Sequence, residues 1–323
     1  MTHRLSRRAA LARLMTGACL PVLAGCEAVR VAEAPTRRPS EGGIGGTGIV
    51  GVLTDLGSLI INGLRVETGA ETEVVGPDGP LPVEVLTPGL SLTVEAQGAP
   101  DALFARRVAV NPPLIGPIAI DATGGITVNG VAVRIDPAVP ALISVGDRVV
   151  VSGLWDGTAV VASRLDATEP EGRDRIAGVV GIRATGQTTL GGRALRLPDA
   201  IARPAPGVFA TAIGRDDGSA FVAEALELGR FSPGFRNLAR LSVEGYLQPQ
   251  AAAPGFSISG LGHSLDPAAQ MAALEGQRSL IEGAYDGRFV AERGLLLPEA
   301  LESRRAFLGL RLTGGVAPTI SLR

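Results

Sequence analysis

Residues able to carry metal or nucleophile chemistry are scarce in this chain of 323 residues. The sequence has no lysine, and its only histidines and cysteines are His3, His263, Cys19 and Cys26. Without a Gly-Lys-Ser/Thr run a P-loop is excluded, and a single internal histidine argues against a transition-metal cage or a histidine-based triad. The sequence therefore predicts no metal site, no cofactor and no catalytic residue, and His263 is interpreted as a surface or turn residue.

Aromatic residues are also few, at 3% of the chain, whereas there are 44 glycines and 23 prolines. That balance favours a turn-rich all-β protein, and the 46% hydrophobic content is too high for a disordered chain. The net charge is −2, and loss of the first 25 residues would remove four arginines and no acidic residue, which leaves −6. An acidic chain argues against a nucleic-acid partner.

The N-terminal segment predicts export. Four arginines, at positions 4, 7, 8 and 13, precede an apolar run, residues 14–24, that is too short to span a bilayer. The run ends in Leu-Ala-Gly-Cys at residues 23–26, which resembles the lipobox of bacterial lipoproteins. By that resemblance residues 1–25 are a signal peptide and Cys26 is the lipidated N-terminus. An ordinary signal peptide cut near Gly25 is the alternative.

Short patterns on either side of Cys26 predict the export route and a tether. Residues 6–11 resemble a twin-arginine signal without the Phe and Lys of the fuller pattern, so this route and general secretion both stay open. Glu27 stands where inner-membrane retention signals usually have Asp, and it favours the outer membrane. Residues 26–47 are rich in Pro and Gly and predict a flexible tether. Residues 43–48 fit G-x-G-x-x-G but open a strand, which favours a hinge over a dinucleotide site.

Four sets of strand and turn signals recur in the same order. A first-strand glycine is followed by a small-residue turn, a strand bracketed by glycines and a closing strand with two bulky residues and Ala. The first-strand glycines, 62 to 67 residues apart, are Gly51, Gly116, Gly178 and Gly245. The turns are Asn62-Gly63, Asn129-Gly130, Gly191-Gly192 and Ser259-Gly260, and the bracketed strands are 89–98, 146–153, 207–214 and 276–283. The closing strands contain 103–105, 160–162, 221–223 and 289–291, with Asp-Gly turns at Asp156, Asp217 and Asp286.

Each set predicts one small β-unit. The units are residues 48–112, 113–172, 173–235 and 236–297, followed by a C-terminal extension, 298–323. A unit of about 60 residues is marginal alone and would expose sheet edges unless its strands close on each other. The predicted fold is therefore all-β, with four tandem OB-like or Greek-key β-barrels that pack together, or small sandwiches as the alternative. The recurrent glycines are interpreted as bulges or sharp bends.

The first unit also resembles a known family. Its Gly-Gly-Ile-Gly-Gly-Thr-Gly run at 42–48, Gly-Ser-Leu-Ile-Ile-Asn-Gly at 57–63, residues 88–98 and the hairpin closing on Phe104-Ala105 are similar to the bacterial domain-of-unknown-function family 5666. The pattern recurs down the chain, so the resemblance covers most of the mature protein. It implies small all-β units on exported proteins, and it brings no substrate or catalytic residue.

Two segments depart from the strand pattern. Asp266 before Pro267 predicts a short helix over residues 266–274, between the third and fourth strands of the last unit. Residues 298–312 have helical spacing and predict a capping helix, while 307–312 could equally form one more strand.

Charged groups that could carry chemistry each have a structural explanation. Asp216-Asp217-Gly218 and residues 169–174 could bind Ca²⁺ or supply an acid–base pair, but a turn and a linker explain them, and neither fits a Ca²⁺ loop. Arg106-Arg107 and Arg304-Arg305 could bind phosphate or an anionic sugar, although solvated strand or helix faces explain them adequately. We interpret all four groups as structural.

The aromatic residues are interpreted as core. Stacking platforms for single-stranded nucleic acid need exposed rings beside a basic groove. Phe104, Phe221 and Phe289 fall instead in the core columns of the closing strands, and Trp155 stands alone beside a turn.

The predicted function is a non-catalytic binding or structural module, held by its N-terminal lipid in the bacterial cell envelope, at the outer membrane facing the periplasm. Its partner would be an envelope protein or polysaccharide. The first alternative is a protein that binds envelope polysaccharide or a small anion in grooves between units, which predicts arginines and a few aromatics along such a groove. The second is a carboxylate-only hydrolase, which predicts two carboxylates facing each other in a cleft.

Overall fold

The computed structural model describes residues 45–135, 139, 143–231, 234–249, 256–258, 264–265, 273–313 and 320–321. The signal segment, Cys26, most of the tether, His263 and most of the predicted helix at 266–274 lie outside these residues. The strands follow one another along nearly the whole described chain, as the glycine-rich, turn-rich composition predicts. Among the described residues no helix has the length and apolar character needed to cross a membrane.

Barrel 1 is a closed ring of five strands. They are β1 (Gly46–Asp55), β2 (Leu59–Ile61), β3 (Leu64–Glu67), β6 (Ser91–Gln97) and β7 (Leu103–Val110). Each neighbouring pair is antiparallel except β3 and β7, which are parallel, and β6 closes the ring against β1. Two short strands and a 3₁₀-helix connect β3 to β6: β4 (Glu73–Gly76), β5 (Gly79–Pro80) and Val83–Val85.

Barrels 2 and 3 repeat the same strand order. Barrel 2 contains β8 (Leu114–Ile120), β9 (Ile126–Val128), β10 (Val131–Ile135), β11 (Arg148–Trp155) and β12 (Val160–Ala167). Barrel 3 contains β13 (Asp174–Ile182), β14 (Thr188–Leu190), β15 (Arg193–Arg196), β16 (Phe209–Asp216) and β17 (Phe221–Leu228). In both, the third and fifth strands are parallel and the fourth pairs with the first, so both rings are closed.

The last quarter of the chain forms the fourth strand group. It contains β18 (Leu238–Pro249), β19 (Phe256–Ile258), β20 (Ser264–Leu265), β21 (Arg278–Tyr285) and β22 (Phe289–Leu296). The pairs β18–β19, β19–β20, β18–β21 and β21–β22 match the other units, but within the described residues β20 and β22 do not pair. Helix α1 (Leu301–Leu312) and β23 (Ile320–Ser321) follow, so the helical interpretation of the extension is confirmed and the strand at 307–312 is wrong.

The predicted Asn-Gly turns are present and tie strands of different units together. Asn62 and Asn129 adopt positive φ values of 57° and 52°, each with a left-handed glycine after it, as a two-residue hairpin requires. The side-chain amide of Asn62 donates to the carbonyls of Val50 in β1 and Ser242 in β18, both at 3.0 Å. The equivalent amide of Asn129 links β8 to β13.

The recurrent glycines have two separate roles. A Cβ at first-strand Gly51 would lie 2.2 Å from Asn62 Oδ1, so this glycine makes room for the asparagine and is not the bend that the sequence pattern suggested. The bulge prediction is correct for Gly153, Gly214 and Gly283, where the ladder register shifts and a Cβ would strike a carbonyl of the next strand. In barrel 1 the shift falls at Ala96, so Gly98 is not the equivalent glycine.

The units join through their first strands in an order that differs from the chain order. β1 pairs in parallel with β18, from Gly46 opposite Leu238 to Val50 opposite Val243, and this joins barrel 1 to the fourth strand group in a 13-stranded sheet. β8 pairs with β13 and joins barrels 2 and 3 in a 10-stranded sheet. The units are therefore not a simple string, because the first pairs with the last.

The core follows these pairings. One buried cluster runs through barrels 2 and 3 together, a second fills barrel 1, and a third fills the fourth strand group. Trp155 belongs to the first cluster, where its Nε1 donates to the carbonyl of Ala177 at 2.6 Å, so it is a packing residue between two barrels. Phe221 and Phe289 are buried as predicted, but Phe104 is 42% exposed, because β7 alternates and buries Leu103 and Ala105 instead.

Helix α1 is fastened by a buried ion network. Glu244 of β18 accepts from Arg278 Nε at 2.8 Å and lies 3.1 Å from Arg304 Nε, and all three side chains are at most 2% exposed. The other oxygen of Glu244 accepts from the backbone N–H of Val52 at 2.8 Å. The prediction that Arg304 and Arg305 both lie on a solvated face is wrong for Arg304, since the neighbouring charges make its burial possible.

Candidate functional site

A cleft of about 290 Å³ between barrels 1 and 3 collects three arginines. Arg107 comes from β7 of barrel 1, Arg175 from β13 of barrel 3, and Arg230 from the connection between β17 and β18. A smaller chamber of about 30 Å³ shares Arg175 and Arg230 with the cleft. We call the two together the arginine cleft. The other residues that line it include Val75, Gly76, Pro77, Gly79, Ala109, Val110, Asn111, Phe209, Thr211, Glu227 and Phe235.

Arg230 forms no ion pair with any of the described residues. Gly229 before it has a φ of 80° and donates to the carbonyl of Phe209 at 2.8 Å, which turns the chain at the end of β17. The Arg230 guanidinium then lies over the Phe209 ring, 5.2 Å from its centroid. Its Nε is buried and has no hydrogen-bond acceptor within the described chain. Burial, and then the charge of Arg175, lower the pKa of Arg230 to about 10.

Arg175 lies beside it with a similar environment. It is the second residue of β13 and is only 7% exposed, and its Nε donates to the carbonyl of Pro112 at 3.1 Å. Burial lowers the pKa of Arg175, an effect that the charges of Glu227 and Asp78 only partly oppose. Burial is the main cause of both lowered pKa values, so the two neighbouring guanidinium groups are both poorly solvated.

Arg107 forms the third side of the cleft and is already paired. It forms an ion pair with Glu73 of β4, and its guanidinium lies 5.9 Å from the centroid of Phe235. Gly234 permits this approach, since a Cβ there would lie 2.8 Å from Arg107 Cζ. The sequence interpretation of Arg106-Arg107 as solvated is therefore wrong for Arg107, whose side chain is 17% exposed, and adequate for Arg106, which is 48% exposed and pairs with Glu95.

The carboxylates that the sequence singled out meet at a different cleft. Asp174 and Asp216 both line an opening of about 570 Å³ between barrels 2 and 3. Arg148 pairs with Asp174, and Arg193 holds both oxygens of Asp216 at 2.8 Å. Asp217 accepts from the backbone N–H groups of its own turn, as the Asp-Gly pattern predicts. Because arginines and backbone groups already engage these carboxylates, the cleft does not present a free acid–base pair.

The part of the chain that the structure describes holds no group of three or more His, Cys, Asp or Glu residues placed to bind a metal ion. Buried guanidinium groups with free N–H donors suit an oxyanion, which arginine can hold through two parallel hydrogen bonds.

Most of this site was not identified from the sequence. Arg107 was a candidate, but Arg175 has the form of an ordinary strand residue, and Arg230 and Phe235 stand at a predicted unit boundary. The one available signal was the clustering of two arginines and two phenylalanines in residues 230–236, within a segment that otherwise has the composition of a linker.

Residues 47–109 match the model of a domain of unknown function, DUF5666. The match covers nearly the whole of barrel 1, so the resemblance to this family is confirmed for the first unit. No curated protein and no solved structure shows a significant match to the chain.

Proposed function

We propose that this is a lipid-anchored protein of the bacterial cell envelope, built from four tandem OB-like barrels, that binds an anionic ligand without catalysis. Three closed five-stranded barrels share one strand order, and the fourth strand group has four of the same pairings, which supports a fourth copy. The lipobox-like run before Cys26 supports the anchor. The proposed partner is therefore an anionic component of the envelope, and the tether gives the barrels reach from the membrane.

One observation carries the binding function: Nε of Arg230, whose guanidinium is stacked on Phe209 and lies next to buried Arg175, is itself buried and has no acceptor in the described chain. Burying a charged donor without a partner is costly, so such a group is retained where a ligand completes it. The cleft lies between two barrels, and it has the arginines and aromatics that distinguish a ligand binder from a scaffold.

Binding is tested by titration calorimetry of the full chain with phosphate and with sulfate at fixed ionic strength. We expect one site in the wild type and, in Arg230→Gln, an affinity lower by about tenfold or more, because a charge-assisted hydrogen bond is lost. Arg236→Gln, which removes an exposed arginine of the same segment, is the matched control and should bind as the wild type. Equal binding by wild type and Arg230→Gln would refute the assignment of the cleft.

The anchor is tested separately with Cys26→Ser. This variant should lose incorporation of labelled fatty acid and leave the membrane fraction, because several acyl chains are needed for stable attachment. Cys19→Ser, which alters the other cysteine of the same segment, should remain lipidated. Membrane attachment of Cys26→Ser equal to that of the wild type would show that Cys26 is not the anchor.

A further inference from the structure

The arginine cleft offers hydrogen-bond acceptors as well as cationic donors. Asn111 lines both chambers, and its side-chain amide N–H donates to Thr93 Oγ1 at 2.9 Å, while no group in the described chain donates to its Oδ1. Glu227 also lines both chambers, and no arginine there comes within ion-pair distance of its carboxylate. A bare oxyanion would accept hydrogen bonds from the arginines. It has no hydrogen to donate, so Asn111 Oδ1 and the Glu227 carboxylate would stay without a donor.

The two aromatic rings of the cleft are already used. Arg230 lies over Phe209 and Arg107 lies over Phe235, so one face of each ring carries a guanidinium. A stacked guanidinium keeps its N–H groups at its edge, where they can donate to a ligand. A ligand with a planar aromatic ring would have to displace one of these cations before it could stack. The arrangement therefore favours a non-aromatic ligand.

The two volumes set the size of the ligand. The smaller chamber of about 30 Å³ holds roughly one water-sized group, and Phe209 borders it together with Arg175 and Arg230, which line both volumes. The larger volume of about 290 Å³ is near the lower limit for small-molecule pockets. An oxygen of a charged group fits the smaller chamber, and a body of about the size of one sugar ring fits the larger volume.

We infer that the arginine cleft binds a hydroxylated, non-aromatic molecule that carries one oxyanion group, of the size of a single phosphorylated or acidic sugar unit. The oxyanion accepts from Arg175 and Arg230, and the hydroxyl groups donate to Glu227 and Asn111 Oδ1. This inference rests on the proposed function, because it names the ligand class of the same cleft.

The test is titration calorimetry of the full chain with glucose 6-phosphate, inorganic phosphate and glucose. We expect glucose 6-phosphate to bind about tenfold or more tightly than inorganic phosphate, and glucose alone to bind too weakly to measure. Glu227→Gln should lower the affinity for glucose 6-phosphate several-fold. Because it removes a negative charge, it should raise the affinity for inorganic phosphate. Glu224→Gln, on the same strand but outside the cleft lining, should change neither affinity. Glu224 and Glu227 are both exposed, so neither change threatens folding.

The outcomes separate the two proposals. If both phosphates bind equally and Arg230→Gln weakens both, the hydroxylated ligand is refuted and the anion site stands. If neither binds to the wild type, both proposals are refuted. If Glu227→Gln changes the affinities for glucose 6-phosphate and inorganic phosphate in the same direction and by the same factor, the hydroxyl contact is refuted. A second pair of probes, glucuronate and acetate, identifies the oxyanion once glucose 6-phosphate has been shown to bind more tightly than inorganic phosphate: glucuronate that binds more tightly than both acetate and glucose 6-phosphate would assign a carboxylate, and glucuronate that binds more weakly than glucose 6-phosphate would assign a phosphate.

Discussion

Replacing Glu244 by Gln should cause a large loss of stability. Its carboxylate is the single anion between the buried guanidinium groups of Arg278 and Arg304, and it also accepts from the N–H of Val52. In Glu244→Gln the two cations would face each other across a neutral amide. Among the residues that the structure describes, only Glu299, 3.7 Å from Arg278 Nη1 and with a side chain that is 55% exposed, would remain as partial compensation.

The expected loss follows from that geometry. Removing one partner of a buried ion pair typically costs about 3–5 kcal/mol, since the remaining charge keeps its desolvation penalty. Because Glu244→Gln would leave two buried cations without their anion, we expect its loss of stability to lie within this range. The nearby carboxylate of Glu299 offsets part of the repulsion, so the loss should not exceed the range. Urea unfolding followed by circular dichroism measures the difference as a lower midpoint at unchanged slope.

An exposed ion pair on the same helix provides the control. Arg305, next to Arg304, pairs with Asp55 at 2.7 Å, and the two side chains are 48% and 38% exposed. Asp55→Asn should therefore cost less than about 1 kcal/mol. If Glu244→Gln costs no more than Asp55→Asn, then water reaches the buried network and the reasoning is wrong.

The same network predicts a pH dependence. Burial alone would raise the pKa of Glu244, but the charges of Arg278 and Arg304 and the hydrogen bond from Val52 outweigh it and hold the pKa below the ordinary value of 4.5. A lowered folded-state pKa gives stability that is present above pH 4.5 and is lost as the pH falls through the folded-state pKa. The stability difference between wild type and Glu244→Gln should therefore shrink below pH 4.5, and a difference that stays constant there would contradict this assignment.

Three further changes test the packing, each by urea unfolding. Asn62→Ala removes the amide that ties β1 to β18 and should cost about 1–3 kcal/mol, whereas a neutral effect would show that the tie contributes nothing. Gly153→Ala would place a Cβ 2.2 Å from the carbonyl oxygen of Val161 and should cost about 1–3 kcal/mol, whereas a neutral effect would show that the bulge can shift to make room. Gly309→Ala, in α1 with open space around it, should instead stabilise by about 1 kcal/mol, and a loss would show an unseen contact.

Local features of the fold were readable from the sequence because they depend on residues close together in the chain. Asn62-Gly63 and Asp217-Gly218 predict tight turns through the positive φ values that they tolerate, and the structure has those values at Asn62, Gly63 and Gly218. The prediction that Phe104 is a core residue was wrong because it rested on the recurrence of bulky residues in the closing strands. Strict two-residue alternation in β7 would have placed it on the outer face.

Non-local features were not readable. The parallel pairing of β1 with β18 depends on two strands whose alternating patterns resemble those of the other first strands. Arg304 has the pattern of a solvated helix residue until Glu244, 60 residues earlier, is placed opposite it. The arginine cleft is similar, because Arg107, Arg175 and Arg230 come together only when barrels 1 and 3 are closed and adjacent. Sequence spacing alone could not identify these neighbours.

The parallel pairing of β1 with β18 also constrains how the molecule can be made. Residues Gly46–Val50 are synthesised almost 200 positions before their partners in β18, and until those partners exist this edge of β1 has free N–H and C=O groups. Such distant pairing slows folding and leaves an edge that can pair with another chain during synthesis. The free edge of β1 can therefore pair with another copy of the chain until the last quarter of the polypeptide has been synthesised, unless a chaperone covers it.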